Sequence, residues 1–156
     1  MRAALQCLVL VAITMMFAAC RGTVDMLPSC PPGDTLMGAP PPKGEEVWCQ
    51  KLVDGKPVKD GIFVAYGPGG SRMIQGTYRD GRQEGEWTMW YENGRRASVD
   101  HYRNGVQEGT HTSWYANGVM SITGEYRDGK REGIWTTWDP SGLISRKQVY
   151  GSKSGR

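Results

Sequence analysis

Residues 61–156 divide without remainder into four units of 24 residues, beginning at Gly61, Gly85, Gly109 and Gly133. Each unit has Gly at position 1, an aromatic ring at position 6 (Tyr66, Trp90, Trp114, Trp138) and Tyr at position 18 (Tyr78, Tyr102, Tyr126, Tyr150). A fixed period of this size means that the chain stacks copies of one small unit, each burying its face only against its neighbours. Such an array has no single central core. Its long surface suits holding a partner better than enclosing a reaction.

Turn signals fix what the unit is. Gly69-Gly70, Asn93-Gly94, Asn117-Gly118 and Ser141-Gly142 fall at positions 9 and 10, and Asp80-Gly81, Asn104-Gly105 and Asp128-Gly129 at positions 20 and 21. Asn-Gly and Asp-Gly tolerate the positive φ angles of two-residue hairpin turns. Each unit therefore reads as two short strands and two tight turns. The expected fold is all-β: an antiparallel meander of repeated hairpins forming an elongated single-layer sheet, with about eight strands spanning about 40 Å.

With two-residue turns, each position 1 Gly lies opposite the Tyr at position 18, so that the ring lies across a residue with no side chain. Position 3 (Phe63, Trp87, His111, Trp135) shares that face. The position 6 ring is an odd number of residues away and points to the other face. The position 3 and 18 rows are expected to stack between strands. The position 6 row needs a cover or a ligand, which makes Tyr66, Trp90, Trp114 and Trp138 the candidate binding surface.

The N-terminus is a different kind of sequence. Arg2 precedes an apolar run from Ala3 to Ala19, the pattern of a secretory signal over residues 1–19. The run ends in small residues before Cys20 and resembles a bacterial lipobox, which makes Cys20 the expected lipid attachment point. Arg21 rather than Asp follows it, which in enteric-type sorting favours the outer membrane. The expected location is thus the bacterial cell envelope. Residues 20–46 are rich in Pro and Gly and read as a lipidated tether. A degenerate half-repeat over 47–60 follows it. Cys7 leaves with the signal and Cys20 carries lipid, so Cys30 and Cys49 have one pairing in an oxidising compartment, worth about 3 kcal/mol in the chain-entropy model. That bridge folds the end of the tether into a cap on the array.

Without Arg2 the balance is 18 basic to 16 acidic side chains, with both signs scattered along the repeats. No basic stripe for a nucleic acid is present. The two histidines, His101 and His111, sit at different unit positions, and His111 occupies a slot held elsewhere by Phe or Trp, which points to packing. Glu84, Glu108 and Glu132 each precede a unit Gly and read as turn-flanking surface residues, paired with Arg82 or Arg131 for little net energy. No catalytic set, cofactor motif, zinc spacing or calcium loop stands out.

The intact run from Gly85 to Gly109, Gly-x-Trp-x-x-Trp-Tyr-x-Asn-Gly continuing to Tyr-Arg-Asn-Gly, resembles the MORN-variant repeat of bacterial proteins often labelled YwqK-type antitoxins. The resemblance covers Gly61 to Tyr150. It implies a repeat sheet, and by its label an antitoxin or immunity role. The expectation from all of these residues is a non-enzymatic, lipid-anchored envelope protein whose sheet binds a partner protein not identified by the sequence. A cell-wall glycan is the alternative ligand, because evenly spaced rings stack on sugars. The sequence leaves the oligomeric state open.

Overall fold

The computed structural model describes residues 28–151. The apolar leader, Cys20 and residues 152–156 lie outside the described residues. Eleven strands form one sheet: β1 (Thr35–Gly38), β2 (Glu46–Val53), β3 (Lys56–Tyr66), β4 (Arg72–Arg79), β5 (Arg82–Trp90), β6 (Arg96–Arg103), β7 (Val106–Gln107), β8 (Gly109–Trp114), β9 (Met120–Arg127), β10 (Lys130–Trp138) and β11 (Ile144–Tyr150). They pair antiparallel in chain order, with β7 beside β6 as the first part of the strand that resumes as β8. The four units supply strands from the middle of β3 onward, as the period requires, and β1 and β2 come from the capped segment. β1 carries no period signal because it is only four residues long.

The disulfide joins Cys30 to Cys49, and Cys49 is fully buried. It ties the cap to the array's first strands: a Cβ on Gly61 would meet the Pro31 ring and Cys49 Cβ.

The expected Gly–Tyr register holds in every unit: Gly61 pairs with Tyr78, Gly85 with Tyr102, Gly109 with Tyr126 and Gly133 with Tyr150. The reason for the glycine is different. A Cβ on Gly85 or Gly133 would meet nothing within 4 Å, so no ring excludes it. These residues sit at φ of 70° and 65°, where β-carbon sterics disfavour other residues. They open a bulge that recurs between units, for instance between Gln75↔Thr88 and Thr77↔Glu84, and the bulge bends each strand as it enters the next unit.

The two turn sites also differ. Asp80-Gly81, Asn104-Gly105 and Asp128-Gly129 all have positive φ at both residues, the signature of a two-residue turn. At positions 9 and 10 of the second, third and fourth units only Gly94, Gly118 and Gly142 do, although in the first unit Gly69 and Gly70 both do. There Gly94 N donates to Tyr91 O and Tyr91 N to Arg95 O, which closes a three-residue loop. The extra residue is absorbed as a one-residue slip between Met89↔Ser98 and Trp90↔Arg96. Asn93 favours this loop by accepting the Arg95 N–H on its side-chain oxygen at 3.1 Å, as Asn117 does for Val119 at 2.9 Å.

Candidate functional site

The two faces of the sheet use their rings differently. On the first face, Trp87 and Trp135 are only 4% and 3% exposed. Tyr78 meets Phe63 and Trp87 edge-on at 5.8 and 5.1 Å, and Phe63 stacks on Trp87. His111, Tyr126, Trp135 and Tyr150 repeat the arrangement one block along. Trp87 reaches its seat by lying flat over Gly76, and Trp135 does so over Gly124; a Cβ on either glycine would lie 2.2 Å from the indole. Each indole N–H donates to a backbone oxygen, of Thr77 and Glu125 respectively. This face is the sheet's own core.

The zipper is interrupted once, between the second and third units. Position 16 holds Gly76, Asp100 and Gly124, and position 3 of the following unit holds Trp87, His111 and Trp135. Where Asp replaces Gly, His replaces Trp. His111 Nδ1 lies 2.7 Å from Asp100 Oδ1, which also accepts from Gln107 Nε2, and Ser98 Oγ donates to Oδ2. His111 thus packs on Trp135, as its slot suggests, and also pairs with a buried carboxylate that reading the units one at a time does not reveal. Burial pushes the Asp100 carboxyl up, but the hydrogen bond and charge of His111, with the bonds from Ser98 and Gln107, outweigh it and hold the carboxyl below its ordinary value. A carboxyl lowered in the folded state contributes stability that is complete above its unfolded pKa and is lost as the pH falls through the folded one. Below about pH 4, wild-type unfolding free energy is therefore expected to fall more steeply with acid than that of Asp100→Asn. Denaturant melts across this range check it, and parallel slopes would contradict it.

On the second face, Tyr66, Trp90, Trp114 and Trp138 are all half-buried. Among the described residues none of them contacts another ring of the zipper or of its own row. Instead they pair across strands with Arg72, Arg96, Met120 and Ile144. The Arg72 guanidinium lies 5.4 Å from the centre of the Trp90 ring. Beside the row runs a buried line of small side chains, Val64, Thr88, Val99 and Thr136. The row therefore stands over a closed floor, spaced two strands or about 10 Å apart. At its first member it enters an open cleft of about 1390 Å³ between the Pro40–Pro42 segment, Glu45 and the residues Ile62, Tyr66 and Arg72.

Hydrogen bonds between like positions hold successive units in line at both edges. Along the three-residue loops, Tyr91 Oη donates to Trp114 O and Tyr115 Oη to Trp138 O, at 2.7 and 2.8 Å. Asn93 and Asn117 donate to Ala116 O and Pro140 O. Along the two-residue turns, Asp60, Glu84 and Glu108 accept the backbone N–H of Asp80, Asn104 and Asp128. Glu84, Glu108 and Glu132 pair with Arg79, Arg103 and Arg127, not with Arg82 or Arg131. Glu84 and Glu108 are thus latches between units, and the signal for this was their constant distance from the next turn.

Residues 83–104 and 107–128 match the MORN repeat variant. Each matched MORN stretch runs from position 23 of one unit to the turn residue at position 20 of the next, so it contains one hairpin with its Gly, its position 3 side chain, its outer Trp and its Tyr. The Glu84 and Glu108 latches fall at the start of the two MORN stretches and point to the turns that close them. The same pairings continue on both sides of the matched MORN stretches, in β3–β4 and β10–β11. No curated protein matches the chain. No group of three or more His, Cys, Asp or Glu placed to hold a metal occurs among the described residues.

Proposed function

We propose that this chain is a non-enzymatic interaction scaffold of the cell envelope, tethered by a lipid on Cys20, and that its ring-bearing second face binds another protein. The observation that supports this reading is the division of labour between the two aromatic rows. One row interlocks and closes the sheet; the other, Tyr66, Trp90, Trp114 and Trp138, stays half-buried and outside the zipper. Trp and Tyr held on rigid strands with part of the ring in water are the side chains that dominate protein interfaces. The signal-like leader favours an envelope scaffold over the antitoxin role of the resembling proteins, which places its partner in the cytoplasm.

The test is the double variant Trp90→Ala, Trp114→Ala. Partner capture after crosslinking is expected to fall about a hundredfold, in line with two interface anchors, while the array still melts as one transition. Unfolding of the double variant would place these rings in the core and remove the reading. A glycan is the second reading, favoured by the even spacing of about 10 Å, close to the length of a disaccharide in an extended chain. Retention on purified cell wall without protein would put it ahead. The tether has its own test: mass spectrometry of the mature chain is expected to find diacylglycerol on Cys20, and an unmodified soluble N-terminus would remove the anchor.

A further inference from the structure

The C-terminal hairpin differs from the other three in what it shows to solvent. On the second face, Ile134 pairs with Val149 and Trp138 with Ile144. Ile134, Leu143, Ile144 and Val149 are 62%, 69%, 53% and 66% exposed. The equivalent pairs in the second unit are Glu86↔His101 and Trp90↔Arg96. Thus the array becomes apolar at its last hairpin, which ends in β11, one of the two edge strands of the sheet among the described residues.

The charges of this hairpin point one way. Glu132 is paired with Arg127, and Asp139 is used inside its own loop, accepting from Ser141 and Leu143. Arg131 lies over the Trp135 and Tyr150 rings. Lys130, Arg146 and Lys147 form no ion pair among the described residues. Arg146 and Lys147 are adjacent on β11 and so present one cation on each face of the edge.

We infer that β11 is a docking edge for an extended acidic segment of another protein, which adds to the sheet as a twelfth strand. Main-chain hydrogen bonds supply the pairing, as in other strand additions. Carboxylates of the incoming strand face Arg146 and Lys147, and its apolar side chains cover Val149 and Ile144. Lysine on an edge also serves to blunt aggregation, but that role calls for a polar edge, and here exposed Ile and Val flank the cations. A second copy of the chain is a poor occupant. Two antiparallel β11 strands centred on their cations would set Lys147 against Lys147 or Arg146, and like charges directly opposite are destabilising. The far edge, β1, is only four residues long and offers no comparable template. This inference is independent of what the ring-bearing face binds.

The probe is a capped peptide, Val-Thr-Glu-Glu-Thr-Val, titrated into the ¹⁵N-labelled protein, with Val-Thr-Lys-Lys-Thr-Val as control. Saturable amide shifts are expected along β11 with the Glu peptide, and binding about tenfold or more weaker with the Lys peptide, as two cross-strand ion pairs imply. The protein variant Arg146→Glu, Lys147→Glu is expected to exchange the preference and bind the Lys peptide. Both side chains are exposed, so the variant keeps the fold, and its gain of the opposite peptide is a positive result that misfolding does not mimic. Absence of shifts at millimolar Glu peptide, equal binding of the two peptides, or shifts away from β11 would overturn the inference.

Discussion

Gly76→Ala is expected to cost about 3–5 kcal/mol, the loss seen when a buried indole leaves its seat. The added methyl would lie 2.2 Å from Cδ2 of Trp87, whose ring is also stacked with Phe63. The indole cannot slide along the face, because Tyr78 and Tyr102 hold it edge-on. It must swing outward, breaking its N–H bond to Thr77 O and exposing the centre of the first face. Gly124→Ala is expected to do the same through Trp135. Gly85→Ala separates this cause from a generic loss of glycine, since its Cβ meets nothing and only the positive φ is strained, for about 1–2 kcal/mol. Urea melts of the three variants give the comparison, and equal losses at Gly76 and Gly85 would mean that the stacked indole is not what demands the glycine.

The second large effect is a coupling. His111→Trp alone must place an indole where the Asp100 side chain stands, and Asp100→Gly alone leaves His111 without its carboxylate and opens a gap beneath the ring. Each single change is expected to destabilise, the first by overpacking and the second by the loss of a buried hydrogen-bonded pair, each by about 2–4 kcal/mol. Together they recreate the junction that the chain already makes at Gly76–Trp87 and Gly124–Trp135. The double variant is therefore expected to recover most of the loss, with a coupling of about 3 kcal/mol, and its tryptophan fluorescence is expected to gain a buried emitter. Additive losses would show that the middle junction is shaped by more than this pair.

The number of units, the all-β class, the Gly–Tyr register and the Cys30–Cys49 bridge were legible because each rests on period or on pairing by elimination. The position 9 loops were not, since Asn-Gly suits both a two-residue turn and the last two places of a three-residue loop. What decides between them is the Asn93 side chain binding Arg95 N, a contact that the dipeptide alone does not reveal. The Asp100–His111 pair was present in the sequence in another form. It appears when position 16 of one unit is read against position 3 of the next, a comparison suggested by stacking and not by alignment of the units. The half-buried state of the position 6 row was out of reach, because it depends on cross-strand neighbours such as Arg72 and Met120, whose places follow only once the one-residue slip is known.

The hydrogen bonds along the three-residue loops also bear on what can stack against the fourth unit. Each of the second and third units offers the next a Tyr hydroxyl at position 7 and an Asn amide at position 9, both donors. In the fourth unit these places hold Asp139 and Ser141, and position 16 holds Gln148 where a following indole needs glycine. A further repeat arriving here would bring its backbone carbonyl against a carboxylate and its ring against a side chain. A unit stacking on the fourth would therefore need contacts other than the Tyr, Asn and Gly ones that join the second, third and fourth units, which disfavours end-to-end association of copies through those same contacts.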